Sequence, residues 1–377
     1  MARVMRLKFL IIILLIVSFC PGCWDVEEVN RRATGSVLFL DTVASGKVRM
    51  GMSFPMPGTQ LPPYGATEQE FFKRHFVVEA EGRGVLDVLK ELQVKTMRTV
   101  DFGSLQAVIF TERYLSQGRL GDLYDFVDRS IAINENAVLF LCKSDPAALL
   151  AMKLNNNTTP GSYIATYFQS HYKHGLVTMA KLWKVSSDEI NGDSDVFLPY
   201  IELADGQYRI AGTGLFSQER YQGELDIDET QFLMMMRGQG PGYLTIPLNT
   251  GGDSLIAFSN LISAVKIKPQ MGRDGKALLA ISMNVTGWLQ EMKPRRVNLT
   301  PGELKAFNVK TQAFIRQKIV SLLRKLQKLN SDPVGFGEKV RARDPDFAEK
   351  HNWHRVYQKA TFQVKVKFTL VNTGRRG

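Results

Sequence analysis

Apolar and polar residues alternate with two different periods along this chain, and each change of period marks an element. Short apolar runs at Ser36–Leu40 and Val48–Phe54, joined by Ala44-Ser45-Gly46, predict two strands and a turn. Pro55, Pro57, Pro62 and Pro63 then break the pattern. Phe76–Ala80 predicts a strand, and Val85, Leu86, Val88, Leu89 and Leu92 fall on one face of a helix. Leu105–Phe110 predicts another strand, Leu120, Leu123, Tyr124 and Val127 a second helix, and Ala137–Cys142 a further strand. Asp145-Pro146 supplies an N-cap with proline at the first helical position. Residues 160–187 predict two helical pieces separated near Gly175. Strands alternating with helices in this way predict a mixed sheet covered by helices.

The pattern changes after Leu198-Pro199-Tyr200 and the Asp205-Gly206 turn signal, where we place a domain boundary. Strands are expected around Tyr208–Phe216, Tyr221–Leu225 and Tyr243–Leu248, with a capping box at Asp226 and Glu229 opening a helix through Met236. Gly238, Gly240 and Gly242 read as a flexible turn. A long hairpin is expected across Arg273-Asp274-Gly275, because Ile281, Met283 and Val285 alternate after it. Thr300-Pro301-Gly302-Glu303 is a second capping box, and it opens a long helix with the stripe Leu304, Phe307, Ile315, Ile319, Leu322, Leu326 and Leu329. The other side carries Lys310, Arg316, Arg324, Lys325 and Lys328, so the stripe could face either a membrane or a sheet of its own domain, and we expect the sheet. The last strand alternates strictly, with Phe362, Val364, Val366, Phe368 and Leu370 on one face.

The fold class expected is therefore α/β, or mixed α+β, in two or three small domains. Residues 23–204 form an N-terminal α/β region, as one unit or two subdomains. Residues 205–374 form a C-terminal α+β domain in which the long helix packs across an antiparallel sheet.

Residues 1–22 read as a leader. Met1 to Lys8 is basic, and the apolar run Phe9–Phe19, about 11 residues, suits a signal-peptide core and is too short to span a bilayer as a helix. Gly22 gives a peptidase the small residue it needs directly before Cys23. This resembles the bacterial lipobox, in which the cysteine is diacylated and becomes the new N-terminus, although Cys20 stands where leucine is usual. Cys23 is the expected lipid attachment site, and two acyl chains are enough for stable tethering. Cys142 would then be the one unmodified cysteine, so no disulfide framework is expected, and its place at the end of an apolar strand predicts a small buried hydrophobe.

The net charge of +11 includes Arg3, Arg6 and Lys8 of the leader, so the processed chain would carry about +8. Such a surplus suits a solvated surface or anionic headgroups. Zinc-finger, helix-turn-helix and aromatic RNA-binding signatures are absent, and nucleic acid is not an expected partner. The sequence contains no P-loop, no Gly-x-Ser-x-Gly elbow and no His-Glu-x-x-His. His171 with His174, and His351 with His354, have helical spacing for a shared metal but no evident third ligand, so structural histidines are expected. No catalytic, cofactor or metal residues are assigned, and no enzyme activity is expected.

Cys23-Trp24-Asp25 followed by Glu28-Val29-Asn30-Arg31 resembles the mature N-terminus of the C subunits of spore germinant receptors, the Ger(x)C lipoproteins. Further similar segments keep the family's order: Gln106–Glu112, Leu198–Ile201, Gly212–Phe216, Gly223–Leu225 with Glu229-Thr230, Asp332–Gly337, Trp353 and the closing strand. The resemblance implies a non-catalytic, extracytoplasmic lipoprotein of the spore inner membrane, acting with a membrane A subunit and a transporter-like B subunit in nutrient-triggered germination. Binding of a small-molecule nutrient by the chain itself is not evident from it. The competing expectation is a lipid-anchored solute-binding protein delivering a nutrient to a transporter.

Overall fold

The computed structural model describes residues 31–56, 75–122, 125, 133–152, 159–191, 194–240, 242–247, 255–272, 275–293 and 300–372. Cys23 and the leader lie outside these residues, as do Leu123, Tyr124 and Val127 of the expected second helix.

The strands are β1 (Arg32–Thr34), β2 (Val37–Thr42), β3 (Val48–Pro55), β4 (His75–Gly82), β5 (Thr99–Asp101), β6 (Ala107–Thr111), β7 (Val138–Cys142), β8 (Phe197–Ala204), β9 (Gln207–Ser217), β10 (Arg220–Leu225), β11 (Tyr243–Pro247), β12 (Leu255–Met271), β13 (Ala277–Lys293) and β14 (Thr361–Asn372). The helices are α1 (Val85–Val94), α2 (Glu112–Ser116), α3 (Pro146–Leu150), α4 (Pro160–Lys173), α5 (Leu182–Asn191), α6 (Ile227–Met236), α7 (Pro301–Lys328), α8 (Phe336–Arg343), α9 (Pro345–Lys350) and α10 (Trp353–Tyr357).

Eight strands form one mixed sheet in the order β10-β9-β8-β7-β6-β2-β3-β4. Its middle, β2, β6, β7 and β8, is parallel, and antiparallel pairs flank it on both sides. Buried parallel strands are apolar on both faces, which explains their unbroken hydrophobic runs. Val37 and Phe39 share one core with Ile109, Phe140, Ile164 and Phe168. Leu38 and Leu40 share the opposite core with Val88, Leu92, Phe110 and Tyr114. Cys142 is fully buried in the first of these cores, and burial raises its thiol pKa.

Asp205 and Gly206, with φ of 51° and 70°, form a tight two-residue hairpin between β8 and β9. The turn signal is thus correctly placed, but the sheet continues through it, and β9 and β10 belong with the strands before it. The α6 capping box at Asp226 and Glu229 is formed as expected.

A second sheet has the order β11-β12-β13-β14. Its first three strands are antiparallel, while β14 runs parallel to β13. A parallel neighbour requires a long crossover, and the helices from α7 to α10 provide it. Ile315, Ile319, Leu322, Leu323 and Leu326 of α7 join one core with Ile281, Met283, Val364 and Phe368. The helix stripe therefore faces its own sheet. The exposed edge of β14 is also covered: Arg316 Nε donates to the Val364 carbonyl at 3.1 Å, and Asn308 Oδ1 accepts from the Leu370 amide at 3.3 Å.

Two glycines mark close backbone approaches. A Cβ on Gly212, where φ is 148°, would lie 1.9 Å from the Leu225 carbonyl oxygen. One on Gly240 would meet the Leu261 carbonyl oxygen at the same distance, so the expected flexible turn is tightly packed there. Gly212→Ala is expected to destabilise the chain by about 3 kcal/mol, through overpacking against backbone and an unfavourable φ. Urea unfolding of the two proteins measures this, and an unchanged midpoint would contradict the packing argument.

Candidate functional site

The chain leaves α7 through Asn330, whose φ is 51°, and turns again at Gly335, with φ of 78°. Between them Asp332 is fully buried. Its Oδ1 accepts from the Gly335 and Phe336 amides at 3.0 Å each. Its Oδ2 accepts from the Gly337 amide and Trp353 Nε1, both at 2.9 Å. A carboxylate has about four lone-pair sites, so all are filled.

The same residue reaches across to the N-terminal sheet. The Asp332 amide donates to Asp195 Oδ2 at 2.7 Å, and the Asp195 amide donates back to the Asp332 carbonyl at 3.1 Å. Asp195 Oδ1 accepts from the Gln218 amide, in the β9–β10 turn, at 2.8 Å. His354 Nε2 stands 3.6 Å from that same oxygen. Arg237 completes the joint, donating to the Pro333 carbonyl while its guanidinium lies 4.7 Å from the centre of the Phe197 ring.

Burial pushes the Asp332 carboxyl up to about 7, against the amide and indole donors that favour its charge. Asp195 is raised by burial too, with His354 and the two backbone amides pulling the other way.

Above this joint lies a cleft of about 660 Å³, lined among others by Asp195, Gln218, Arg220, Arg341, His351 and His354. The histidine pairs take structural roles in part: His171 Nδ1 and His351 Nδ1 each bond the carbonyl four residues back, at 2.8 and 3.0 Å. His354, by contrast, has a carboxylate neighbour that its spacing in the sequence did not reveal. Asp195 and Asp332 are 137 positions apart, so no local pattern links them. The available signal was Asp332-Pro333-Val334-Gly335-Phe336-Gly337, a carboxylate ahead of a glycine-bearing turn.

The carboxyl ends of the parallel strands hold another buried acid, Asp41. Asp41 Oδ1 accepts from Thr111 Oγ1 at 2.5 Å and from the Thr42 amide at 2.8 Å, and Arg113 reaches Oδ2 at 2.8 Å. The parallel strands follow one another in chain order across the sheet, without the reversal that opens a ligand crevice in α/β folds. Among the described residues no three His, Cys, Asp or Glu side chains gather as a metal site, and no helix is long and apolar enough to cross a membrane.

Residues 25–203 match the family model described as spore germination protein N-terminal domain, and residues 211–374 the one described as spore germination B3/GerAC like, C-terminal. Spore germination protein GerQC of Bacillus cereus is 18% identical over 369 residues, covering 98% of this chain and 99% of its own. Spore germination protein KC of Bacillus subtilis is 20% identical over 393 residues, covering 97% and 95%. The crystal structure of the GerBC protein superposes with a TM-score of 0.59 at 17% identity, over 89% of this chain and 97% of that one, which shows a shared fold.

Asp332→Asn is expected to destabilise the protein by roughly 3 kcal/mol, because one amide oxygen cannot serve four N–H donors and the amide NH₂ faces two of them. Unfolding midpoints measure the loss. The pH dependence has a definite sign. A carboxyl raised from 3.8 to about 7 binds its proton more tightly in the folded state. Its contribution to stability therefore falls as pH rises from about 4 to about 7, then levels off. The advantage of the wild type over Asp332→Asn should shrink across that window, and an advantage that grows would contradict the assignment.

Proposed function

The chain belongs to the GerAC-like family of spore germination proteins, the C subunits of germinant receptors, and from this we propose that it acts as a non-catalytic, lipid-tethered subunit in receptor assembly and signalling. The observation that carries the proposal is what the family-like residues build. Asp332, Gly335, Gly337 and Trp353 form a joint whose carboxylate is fully occupied by N–H donors, a device for holding shape. Division of the chain near residue 205 into two modules belongs to the same proposal; the two matched segments, 25–203 and 211–374, support it, although β9 and β10 pair into the N-terminal sheet.

In this reading Cys23 carries the lipid, the folded residues lie on the extracytoplasmic face of the spore inner membrane, and Trp24 sits at the headgroup layer. Confinement to the membrane plane raises the local concentration of the subunit beside the membrane A and B subunits, so modest contact affinity is enough for assembly.

The cleft supports a second reading. At about 660 Å³ it is within the size range of small-molecule sites, about 300–1,000 Å³, and its lining is rich in charged groups. A solute-binding protein would show ligand-dependent thermal stabilisation when amino acids or sugars are screened.

Cys23→Ala is expected to abolish incorporation of a labelled fatty acid, lower the amount of protein in spore membranes and slow nutrient germination, with the urea midpoint unchanged. Normal germination with the protein in the soluble fraction would sink the tether. Affinity purification from detergent-solubilised spore membranes should recover a polytopic transporter-like protein and a second large membrane subunit.

A further inference from the structure

The two faces of the C-terminal sheet differ in a way that the core does not require. One face packs on α7. On the other, Lys266 and Lys268 of β12 and Lys365 and Lys367 of β14 stand on either side of β13, all four exposed. Register places Lys266, Ser282 and Lys365 in one row, and Lys268, Ala280 and Gln363 in the next. The middle strand thus contributes small side chains, and the lysines rise above a shallow floor.

No outward position from Ile262 to Gln270, Leu278 to Trp288 or Thr361 to Val371 is acidic. Among the described residues none of the four lysines is in an ion pair. Toward one end of this face lie Ile262, Trp288 and Val371, which are 67%, 45% and 61% exposed. Cations around an exposed indole and aliphatic groups are the combination that suits the headgroup layer of a bilayer.

The back of α7 is also basic, but three of its cations are engaged within the chain, while Lys305, Lys310, Arg324 and Lys328 stay exposed. Lys325 pairs with Glu229 at 2.5 Å, Lys318 lies over the Phe314 ring, and Arg316 bonds the Val364 carbonyl. Among the described residues the sheet lysines have no such commitments.

We propose that the outward face of the C-terminal sheet docks against an anionic phospholipid surface through Lys266, Lys268, Lys365 and Lys367, with Trp288 at its apolar end. Charge complementarity and the shallow floor favour a lipid surface over a protein segment, which would ordinarily find a groove. Each lysine close to such a surface strengthens partitioning about fivefold. The proposal rests on the tethered reading, and it adds to it an orientation for the folded body.

Lysine acetylation of the full-length lipidated protein, read by mass spectrometry, tests the orientation. The protein is reconstituted in vesicles of phosphatidylcholine alone or with phosphatidylglycerol. Flotation with both kinds of vesicle scores the tether separately. Labelling of the four sheet lysines should be about fivefold lower in the phosphatidylglycerol vesicles and should recover in high salt, while Lys305 and Lys310 on α7 stay unchanged. Equal labelling of the sheet lysines in both vesicles, or equal protection of Lys305 and Lys310, would overturn the proposal. Protection that needs the membrane subunits and not the anionic lipid would assign the face to a protein partner and overturn it as well. Failure to float with phosphatidylcholine alone would count against the tether, and protection in phosphatidylglycerol vesicles would still decide the face.

Discussion

One buried carboxylate organises the joint between the eight-stranded and four-stranded sheets, beside the core that Phe197, Leu215 and Leu225 share with Ile256 and Ile281. Asp332 comes just after the long helix α7, and its side chain gathers the first amides of α8 and the indole of α10. Its own amide and carbonyl meet Asp195, which in turn holds the β9–β10 turn through Gln218. Two helices and the edge of the larger sheet therefore meet at one group. Removing one partner of a buried charge costs more than the bond itself, because the remaining charge or donors stay buried. The two left-handed residues, Asn330 and Gly335, allow the sharp reversal that makes this convergence possible.

Periodicity revealed most of the elements because burial imposed it. The parallel strands are apolar over their buried stretches since helices cover both faces, and β14 alternates since only one of its faces meets α7. The caps at Asp145, Asp226 and Thr300 were legible because an N-cap needs only a side-chain oxygen and the amides just after it. Pairing was harder to read. Nothing local to β14 distinguishes a parallel from an antiparallel neighbour, and the Asp205-Gly206 hairpin has the same turn chemistry inside a sheet as it would at a boundary. The joint at Asp195 was out of reach for a similar reason: a contact across 137 positions leaves no trace in spacing. The Asp332 to Gly337 segment did stand out as a motif, yet its role depends on where its amides point.

The distribution of buried polar groups bears on what kind of protein this is. Asp41 and Asp332 both have their oxygens directed to donors of the chain itself. Asp195 is the partial exception, since it reaches the cleft beside His354. Groups held in this manner stabilise one relative placement of the eight-stranded and four-stranded sheets. A body that changed shape on binding would be expected to leave such a joint partly unsatisfied.

Rigidity also gives meaning to surface charge. On a flexible assembly of domains, four exposed lysines would average over many orientations and favour none. On a body whose sheets are locked together, an acid-free face has a fixed direction relative to everything else. Lys325, Lys318 and Arg316 of α7 are held by Glu229, Phe314 and the β14 edge, whereas the four sheet lysines have no such contact among the described residues and share one acid-free face. That asymmetry turns a general basic surplus into a vector, and a lipid at the N-terminus would restrict the body to the one plane where such a vector can act.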